Sequence, residues 1–263
     1  MPIQPLRIPY SVEPLCFGDL YLPDTGETHA AVVLIHGGFW RARYDLSLMH
    51  GLAENLAQQG IAAWNIEYRR VGDTGGGWPG TLLDVAIATD YLRTLAPMHK
   101  LDLNRAVAVG HSAGGQLALW LAARSLLPQD SPLAYTTTPL SLAGAISLAG
   151  VVDLRQAWQL DLGSGAVAEF LGGSPDGLPE RYAAASPAEL LPFHTPQVLI
   201  HGDRDDRVPI GISQDYAKKA QAAGDSVRLL ELPGADHFVL IDPNSEAWAT
   251  CVAEIRKLIT ATS

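Results

Sequence analysis

Residues 106–124 read AVAVGHSAGGQLALWLAAR and contain the feature that decides the fold. Small apolar residues are followed by Gly110-His111-Ser112-Ala113-Gly114, and then by apolar residues at helical spacing. This is a G-x-S-x-G pattern between a strand and a helix. The flanking glycines let neighbouring backbone approach a tight turn that holds the serine side chain out. The stretch therefore predicts that Ser112 is a nucleophile, and a plain Gly/Ser strand-to-helix connection is the alternative.

Strand-like and helical segments alternate on both sides of this turn. Short apolar runs predict strands at residues 30–35, 61–68, 105–109, 144–150, 197–202 and 227–232. Helical spacing predicts helices at residues 46–59, 79–95, 113–124, 210–223 and 245–260. Such alternation requires crossover connections, so we expect an α/β fold with a mostly parallel sheet of about eight strands and helices on both faces. Two short segments before Asp24 are expected to add an antiparallel edge.

One region interrupts the alternation of strands and helices. Residues from about 151 to 195 contain Pro, Gly and Ser clusters among short helical pieces, and no strand is predicted there. We expect residues 1–263 to form a single domain in which residues 151–195 are a short cap or lid insertion. The alternative is a long surface connection without a role of its own.

Composition restricts the functional classes. The net charge of −10 is spread along the chain, which disfavours a nucleic-acid partner. The two cysteines, Cys16 and Cys251, suggest neither a zinc site nor a disulfide framework. Without a signal peptide or a membrane-spanning run, we expect a cytoplasmic protein with no membrane partner. The G-x-G-x-x-G match at residues 75–80 follows no strand directly and contains Pro79, so no dinucleotide cofactor is expected. The acidic cluster at residues 203–206 lacks the Gly and Glu positions of a calcium loop, so no metal is expected.

A serine nucleophile needs a base and an orienting carboxylate, which in this kind of fold follow in the order acid, then histidine. Three carboxylates, Asp203, Asp205 and Asp206, come directly after the strand predicted at residues 197–202. His237 follows the next predicted strand. The sequence therefore predicts a Ser–Asp–His arrangement and leaves the three acids as alternatives.

Attack on a carbonyl creates an oxyanion, which backbone N–H groups stabilise. One donor is expected to be Ala113, which directly follows the nucleophile. The other is expected from the loop after the strand at residues 30–35, which reads His36-Gly37-Gly38-Phe39-Trp40. Gly38 and Phe39 are the candidates.

Together these residues resemble the α/β-hydrolase superfamily from about Ala30 to Thr260. The HGGFW stretch differs from the HGGG of hormone-sensitive-lipase-like carboxylesterases and is closer to the HGGYW of kynurenine-formamidase-like enzymes. The segments EYRRVG (67–72) and WPGTLLDVAIATDYL (78–92) also resemble these esterases and formamidases. The superfamily pattern G-x-x-D-x-x-V-P matches residues 202–209 and selects Asp205 as the acid. Asp153 is the alternative, because some relatives place the acid after the preceding strand.

This resemblance implies a serine hydrolase that cleaves small carboxylic esters through an acyl-enzyme. An arylformamidase-like enzyme acting on an N-formyl amide is the first alternative. A ligand-binding protein that retains the fold without catalysis is the second. Aromatic residues in the loops and the insertion are expected to line an apolar pocket for a small-molecule ester or amide, together with Phe39. They are Trp40, Trp78, Trp158, Phe170 and Phe238.

Overall fold

An eight-stranded sheet forms the centre of the molecule in the computed structural model, which describes residues 3–134 and 138–261. The strands are β1 (Leu6–Pro9), β2 (Phe17–Tyr21), β3 (His29–Ile35), β4 (Ala62–Ile66), β5 (Leu101–His111), β6 (Gly144–Leu148), β7 (Gln197–Gly202) and β8 (Val227–Leu232). Their order is β1-β2-β4-β3-β5-β6-β7-β8. β2 pairs antiparallel with β1 and β4, and every other neighbouring pair is parallel. The predicted parallel sheet and its antiparallel edge are confirmed.

Helices connect the parallel strands. They are α1 (His50–Gln58), α2 (Gly80–Asp90), α3 (Leu92–His99), α4 (Ala113–Ala123), α5 (Leu154–Gln159), α6 (Ala166–Leu171), α7 (Pro179–Ala185), α8 (Gly211–Ala222) and α9 (Glu246–Thr260). Within the described ranges, none of them is both long and apolar enough to cross a bilayer.

The sheet separates two hydrophobic cores. In β3, Ala31, Val33 and Ile35 face the core that contains α2 to α8, whereas the alternate residues face the core that contains α1 and α9. Because successive side chains of a strand point to opposite faces, a central parallel strand must be apolar at nearly every position. This explains the unbroken apolar runs of the sequence and confirms helices on both faces.

Three predicted elements show the largest differences from the structure. The helix predicted at 46–59 is a 3₁₀ turn, Leu46–Met49, followed by α1. The helix predicted at 79–95 is divided at Tyr91 into α2 and α3. β5 begins at Leu101 rather than at Arg105, because polar residues at its start interrupt the apolar pattern while the backbone still pairs with β3.

Residues 151–195 form α5, α6 and α7 and contain no strand. This insertion packs onto the domain through Phe170, which is fully buried and stacks on Trp40 with ring centroids 4.5 Å apart. Arg41 Nε donates to Glu169 of α6 at 2.7 Å. The insertion is thus anchored to the loop after β3, and its role as a lid stays a prediction.

Candidate active site

The turn between β5 and α4 holds Ser112 in an uncommon backbone conformation, with φ 56° and ψ −120°. An ideal Cβ at Gly110 would lie 1.9 Å from the carbonyl oxygen of Gly114. A Cβ at Gly114 would lie 2.1 Å from the carbonyl oxygen of Ile35. Neither position has space for a side chain, so both glycines of the pattern are required by the close approach of backbone. The turn places Ser112 at the carboxyl edge of the sheet and at the start of α4.

We expect Gly110→Ala to lower the free energy of unfolding by about 3 kcal/mol or more, because its methyl group would overlap a backbone carbonyl that cannot move aside. Urea unfolding followed by circular dichroism measures this change. The matched control is Gly211→Ala in α8, where a Cβ meets nothing within 4 Å and alanine favours the helix. Equal stability of the two variants would contradict this account of the turn.

Asp205 and His237 meet although they lie on different loops. Asp205 follows β7, His237 follows β8, and His237 Nδ1 lies 2.6 Å from Asp205 Oδ2. A carboxylate only accepts hydrogen bonds, so Nδ1–H is the donor. This leaves Nε2 of the neutral imidazole as the acceptor, the tautomer that a general base for a serine hydroxyl requires.

The surroundings of Asp205 keep it ionised. Its Oδ1 accepts hydrogen bonds from the backbone N–H groups of Arg207 and Val208, and Nε2 of His201 lies 3.2 Å from Oδ2. Burial alone would raise the pKa of Asp205, but hydrogen bonds from His201, His237 and Val208 outweigh it and hold the pKa well below its ordinary value. Asp205 is therefore a fixed negative charge against the imidazole.

The competing acids have other partners. Asp153 caps α5 through Gln156 N and accepts from Lys219 Nζ at 2.6 Å. Asp203 accepts from Gly234 N, and Asp206 is an exposed partner of Arg207.

In the described part of the chain, no group of three or more His, Cys, Asp or Glu side chains is arranged to hold a metal ion.

Ser112 and His237 line one pocket of about 150 Å³. Both side chains are nearly buried, with 2% and 3% exposure, so a bound carbonyl group would be largely removed from water. The structure thus brings the three residues at 112, 205 and 237 to one end of the sheet, and their catalytic roles stay a prediction.

The loop after β3 passes directly beside Ser112. A Cβ at Gly37 would lie 2.7 Å from the carbonyl oxygen of His111 and 2.9 Å from Cβ of Ser112, so this close approach requires glycine. Gly38 and Phe39 both have positive φ, 110° and 52°, and both line the pocket with Ser112. Ala113 opens α4, and N–H groups in the first turn of a helix lack intrahelical acceptors. These are the three predicted oxyanion positions, and they lie around one serine.

A buried carboxylate supports this loop, and sequence reasoning missed it. Glu67, 2% exposed at the end of β4, accepts from Nε2 of His36 at 3.0 Å and from the backbone N–H of Leu46 at 3.1 Å. Arg70 Nη1 lies 3.2 Å from the same carboxylate. Glu67 therefore connects His36, at the start of the loop after β3, with Leu46, in the segment that follows this loop. Its position, a charged residue directly after a buried strand, was the available clue.

His111, which precedes Ser112 in the chain, contacts His237 through its side chain. Its Nε2–H donates to the backbone carbonyl of His237 at 2.9 Å, and the two ring centroids are 4.5 Å apart. Its Nδ1 is buried and lacks a partner among the described residues. Burial and then the neighbouring His237 lower the pKa of His111 to about 3. His111 is therefore a neutral imidazole that holds the His237 loop.

Because the His111 imidazole is neutral in the folded protein, we expect the free energy of unfolding to depend on pH. Below pH of about 6.5 the unfolded chain protonates His111 and the folded protein does not, so unfolding becomes easier as the pH falls towards about 3. The free energy of unfolding of the wild type should therefore decrease between pH 7 and pH 4.5. In His111→Gln, which keeps a hydrogen-bond donor, we expect this decrease to be smaller by about 2–3 kcal/mol. Urea unfolding at both pH values measures the difference. The control, His194→Gln, removes an imidazole that is 74% exposed and should leave the wild-type loss in place. Parallel losses in wild type and His111→Gln would disprove the account.

The aromatic pocket predicted from sequence is corrected by the structure. Phe39 and Phe238 line the pocket with Ser112, together with Tyr44. Trp40 and Phe170 are fully buried and stack on each other in the core. Trp78 lies at another surface depression, beside Leu127 and Pro128. Trp158, 37% exposed, is outside the lining as well. Trp40 and Trp78 lie in loops, where no sequence periodicity sets the direction of a side chain. Phe170 and Trp158 lie in α6 and α5, and neither of these residues lines the pocket with Ser112.

An eight-stranded sheet in this order, with the Ser112 turn after β5, Asp205 after β7 and His237 after β8, defines the α/β-hydrolase fold. The chain belongs to the BD-FAE family, whose model matches residues 18–220.

Individual relatives agree with this class. The chain is 28% identical to esterase LipC of Mycobacterium tuberculosis over 249 residues, which cover 90% of this chain and 60% of LipC. It is 26% identical to a probable dipeptidyl-peptidase 5 of Emericella nidulans over 238 residues, covering 86% of this chain and 31% of that protein. The chain thus spans less than two thirds of the length of either relative.

Solved structures share the fold. A truncated form of a carbohydrate esterase from gut microbiota superposes with a TM-score of 0.81 at 22% identity, covering 97% of this chain and 95% of that one. Esterase Est2 of Thermogutta terrifontis superposes with a TM-score of 0.77 at 22% identity, covering 98% and 92%.

Proposed function

We propose that the protein is a serine hydrolase that cleaves small carboxylic esters through an acyl-enzyme. The observation that carries the proposal is the 2.6 Å hydrogen bond between His237 and Asp205, made by an imidazole that shares a small pocket with Ser112. Membership of the BD-FAE family and the likeness to esterase LipC support it.

The proposed mechanism uses the residues around this pocket. Ser112 Oγ attacks the ester carbonyl while His237 Nε2 takes the hydroxyl proton. Asp205, fixed as an anion, stabilises the imidazolium and keeps the ring oriented. Backbone N–H groups of Gly38, Phe39 and Ala113 stabilise the oxyanion, a contribution of about 3 kcal/mol per donor in comparable sites. The alcohol leaves with the proton from His237. Water then attacks the carbonyl carbon of the acyl-enzyme and gives its proton to His237, and Ser112 Oγ leaves with that proton as the acid is released.

The size of the pocket supports a short acyl group. Its volume of about 150 Å³ is small beside the roughly 300–1,000 Å³ of sites for drug-sized ligands. The Phe39 and Phe238 rings supply apolar surface at its wall. We therefore assign acetyl- to butyryl-sized acyl groups to this site.

Hydrolysis of an N-formyl amide is the second candidate. A formyl group is the smallest acyl group and fits the same volume, and the HGGFW loop is of the kind found in formamidase-like enzymes. The same residues would act, and only the leaving group would change from an alcohol to an arylamine. A ligand-binding protein without catalysis is the remaining alternative.

The experiment compares 4-nitrophenyl acetate, butyrate and octanoate with an N-formyl arylamine under one set of conditions. The proposal predicts the highest kcat/KM for acetate or butyrate, and a mass increase on the peptide that contains Ser112 after brief acetylation. A higher kcat/KM for the formamide would favour the second candidate. No turnover and no acylation of any substrate would leave only the ligand-binding alternative.

A further inference from the structure

The charge of the catalytic pocket is opposite to that of the protein. The chain carries a net charge of −10, yet the pocket lining includes two arginines, Arg43 and Arg207, and no carboxylate. The two arginines come from different loops, after β3 and after β7. This local excess of positive charge needs an explanation that the ester-cleaving residues do not provide.

Arg43 is a cation without an acidic partner in residues 3–134 and 138–261. Its guanidinium carbon lies 4.9 Å from the centroid of the Tyr44 ring, which is itself part of the lining. Nearby Arg41 shows the contrast, because it is neutralised by Glu169 at 2.7 Å. The Tyr44 ring holds the Arg43 charge at the pocket without cancelling it.

Arg207 is only weakly neutralised. Its Nε lies 3.3 Å from Asp206 Oδ1, and the two side chains are 56% and 73% exposed. Ion pairs this exposed are weak and screened by salt, so Arg207 is free to exchange Asp206 for a ligand. The adjacent Asp205 is committed to His237 and to backbone N–H groups.

We propose that the natural substrate carries a carboxylate on its leaving group, which Arg43 and Arg207 bind at the rim of the pocket. This inference rests on the proposed ester or amide hydrolysis. The small volume beside Ser112 holds the acyl group, so the remainder of the substrate extends to the rim, where the two exposed arginines lie. A guanidinium binds a carboxylate through two parallel hydrogen bonds, which gives orientation as well as attraction.

The test uses two esters of equal size, 3-carboxy-4-nitrophenyl acetate and 3-carbamoyl-4-nitrophenyl acetate. The measured quantity is the ratio of their kcat/KM values, so that effects common to both esters cancel. We expect the ratio to fall about three- to five-fold in Arg43→Gln and in Arg207→Gln, and about ten-fold or more in the double variant. The wild-type ratio should also fall as ionic strength rises.

Arg256→Gln is the matched control, because Arg256 lies on α9, contacts Gln59 and is outside the lining. Its ratio should equal that of the wild type, and thermal unfolding verifies that each variant is folded. An unchanged ratio in the double variant would overturn the proposal.

A second readout separates this inference from the proposed function. If the wild type cleaves neither ester, the proposed hydrolysis fails, and calorimetric binding of 3-hydroxybenzoate against 3-hydroxybenzamide still decides the role of the arginines. Tighter binding of the benzoate, lost in the double variant, supports the anion site. Equal binding of both compounds overturns it.

Discussion

Replacing Ser112 with alanine is expected to lower kcat for 4-nitrophenyl acetate by about 10⁴-fold or more, while the protein stays folded. The hydroxyl is the attacking group in the proposed mechanism, and neither the oxyanion N–H groups nor His237 can replace it. The remaining activity of Ser112→Ala would come from the oxyanion N–H groups and from substrate binding, so kcat should not fall to the rate of the uncatalysed reaction. Steady-state kinetics with the release of 4-nitrophenolate measures the loss.

The control for this result is Ser147→Ala. Ser147 lies in β6, is 1% exposed and is outside the pocket lining, so its removal should leave kcat within about two-fold of the wild type. Because its Oγ has no partner among the described residues, alanine should not reduce stability. Wild-type activity in Ser112→Ala would exclude the serine mechanism.

Replacing Asp205 with asparagine is expected to lower kcat by about 10⁴-fold. The asparagine amide would donate to Nδ1 of His237 and thereby place the ring proton on Nε2, where it cannot accept the serine proton. The carbonyl oxygen of asparagine can still accept from the N–H groups of Arg207 and Val208, so the loop should persist. Kinetics at several pH values measure the effect.

Asp153→Asn is the comparison that identifies the acid. Asp153 follows β6 and is the alternative position, but its carboxylate caps α5 and binds Lys219. We expect this variant to keep kcat close to that of the wild type and to lose some stability with the ion pair. A large loss of kcat in Asp153→Asn, together with an active Asp205→Asn, would identify Asp153 as the acid in place of Asp205.

The turn at Ser112 shows why part of the site is readable from sequence. Gly110 and Gly114 are required because backbone carbonyls occupy the space of a Cβ, and this constraint depends on a few neighbouring residues and one adjacent strand. The order of acid and histidine is likewise a property of chain topology. The sequence therefore predicted the fold, Ser112 and His237, and the family pattern selected Asp205; the catalytic roles of these residues stay a prediction.

Phe39 and Trp40 show why the pocket was not readable in the same way. These consecutive aromatic residues both follow a strand, yet Phe39 lines the pocket and Trp40 is buried against Phe170. No periodicity applies in a loop, so the direction of each side chain depends on residues far away in the chain. The role of Glu67 was not predicted for the same reason, because two of its partners, His36 and Leu46, lie far from it in the chain.

The amino-acid pattern by itself determined the α/β class, the strand–turn–helix around Ser112 and the rank order of its partners, because each depends on local spacing and on chain connectivity. Tertiary structure alone decided the 2.6 Å contact of Asp205 with His237 and the contact of Glu67 with the loop after β3. It also placed Arg43 and Arg207 in the lining of one pocket. Those features depend on distances between loops, which are fixed only when the two cores pack against the sheet.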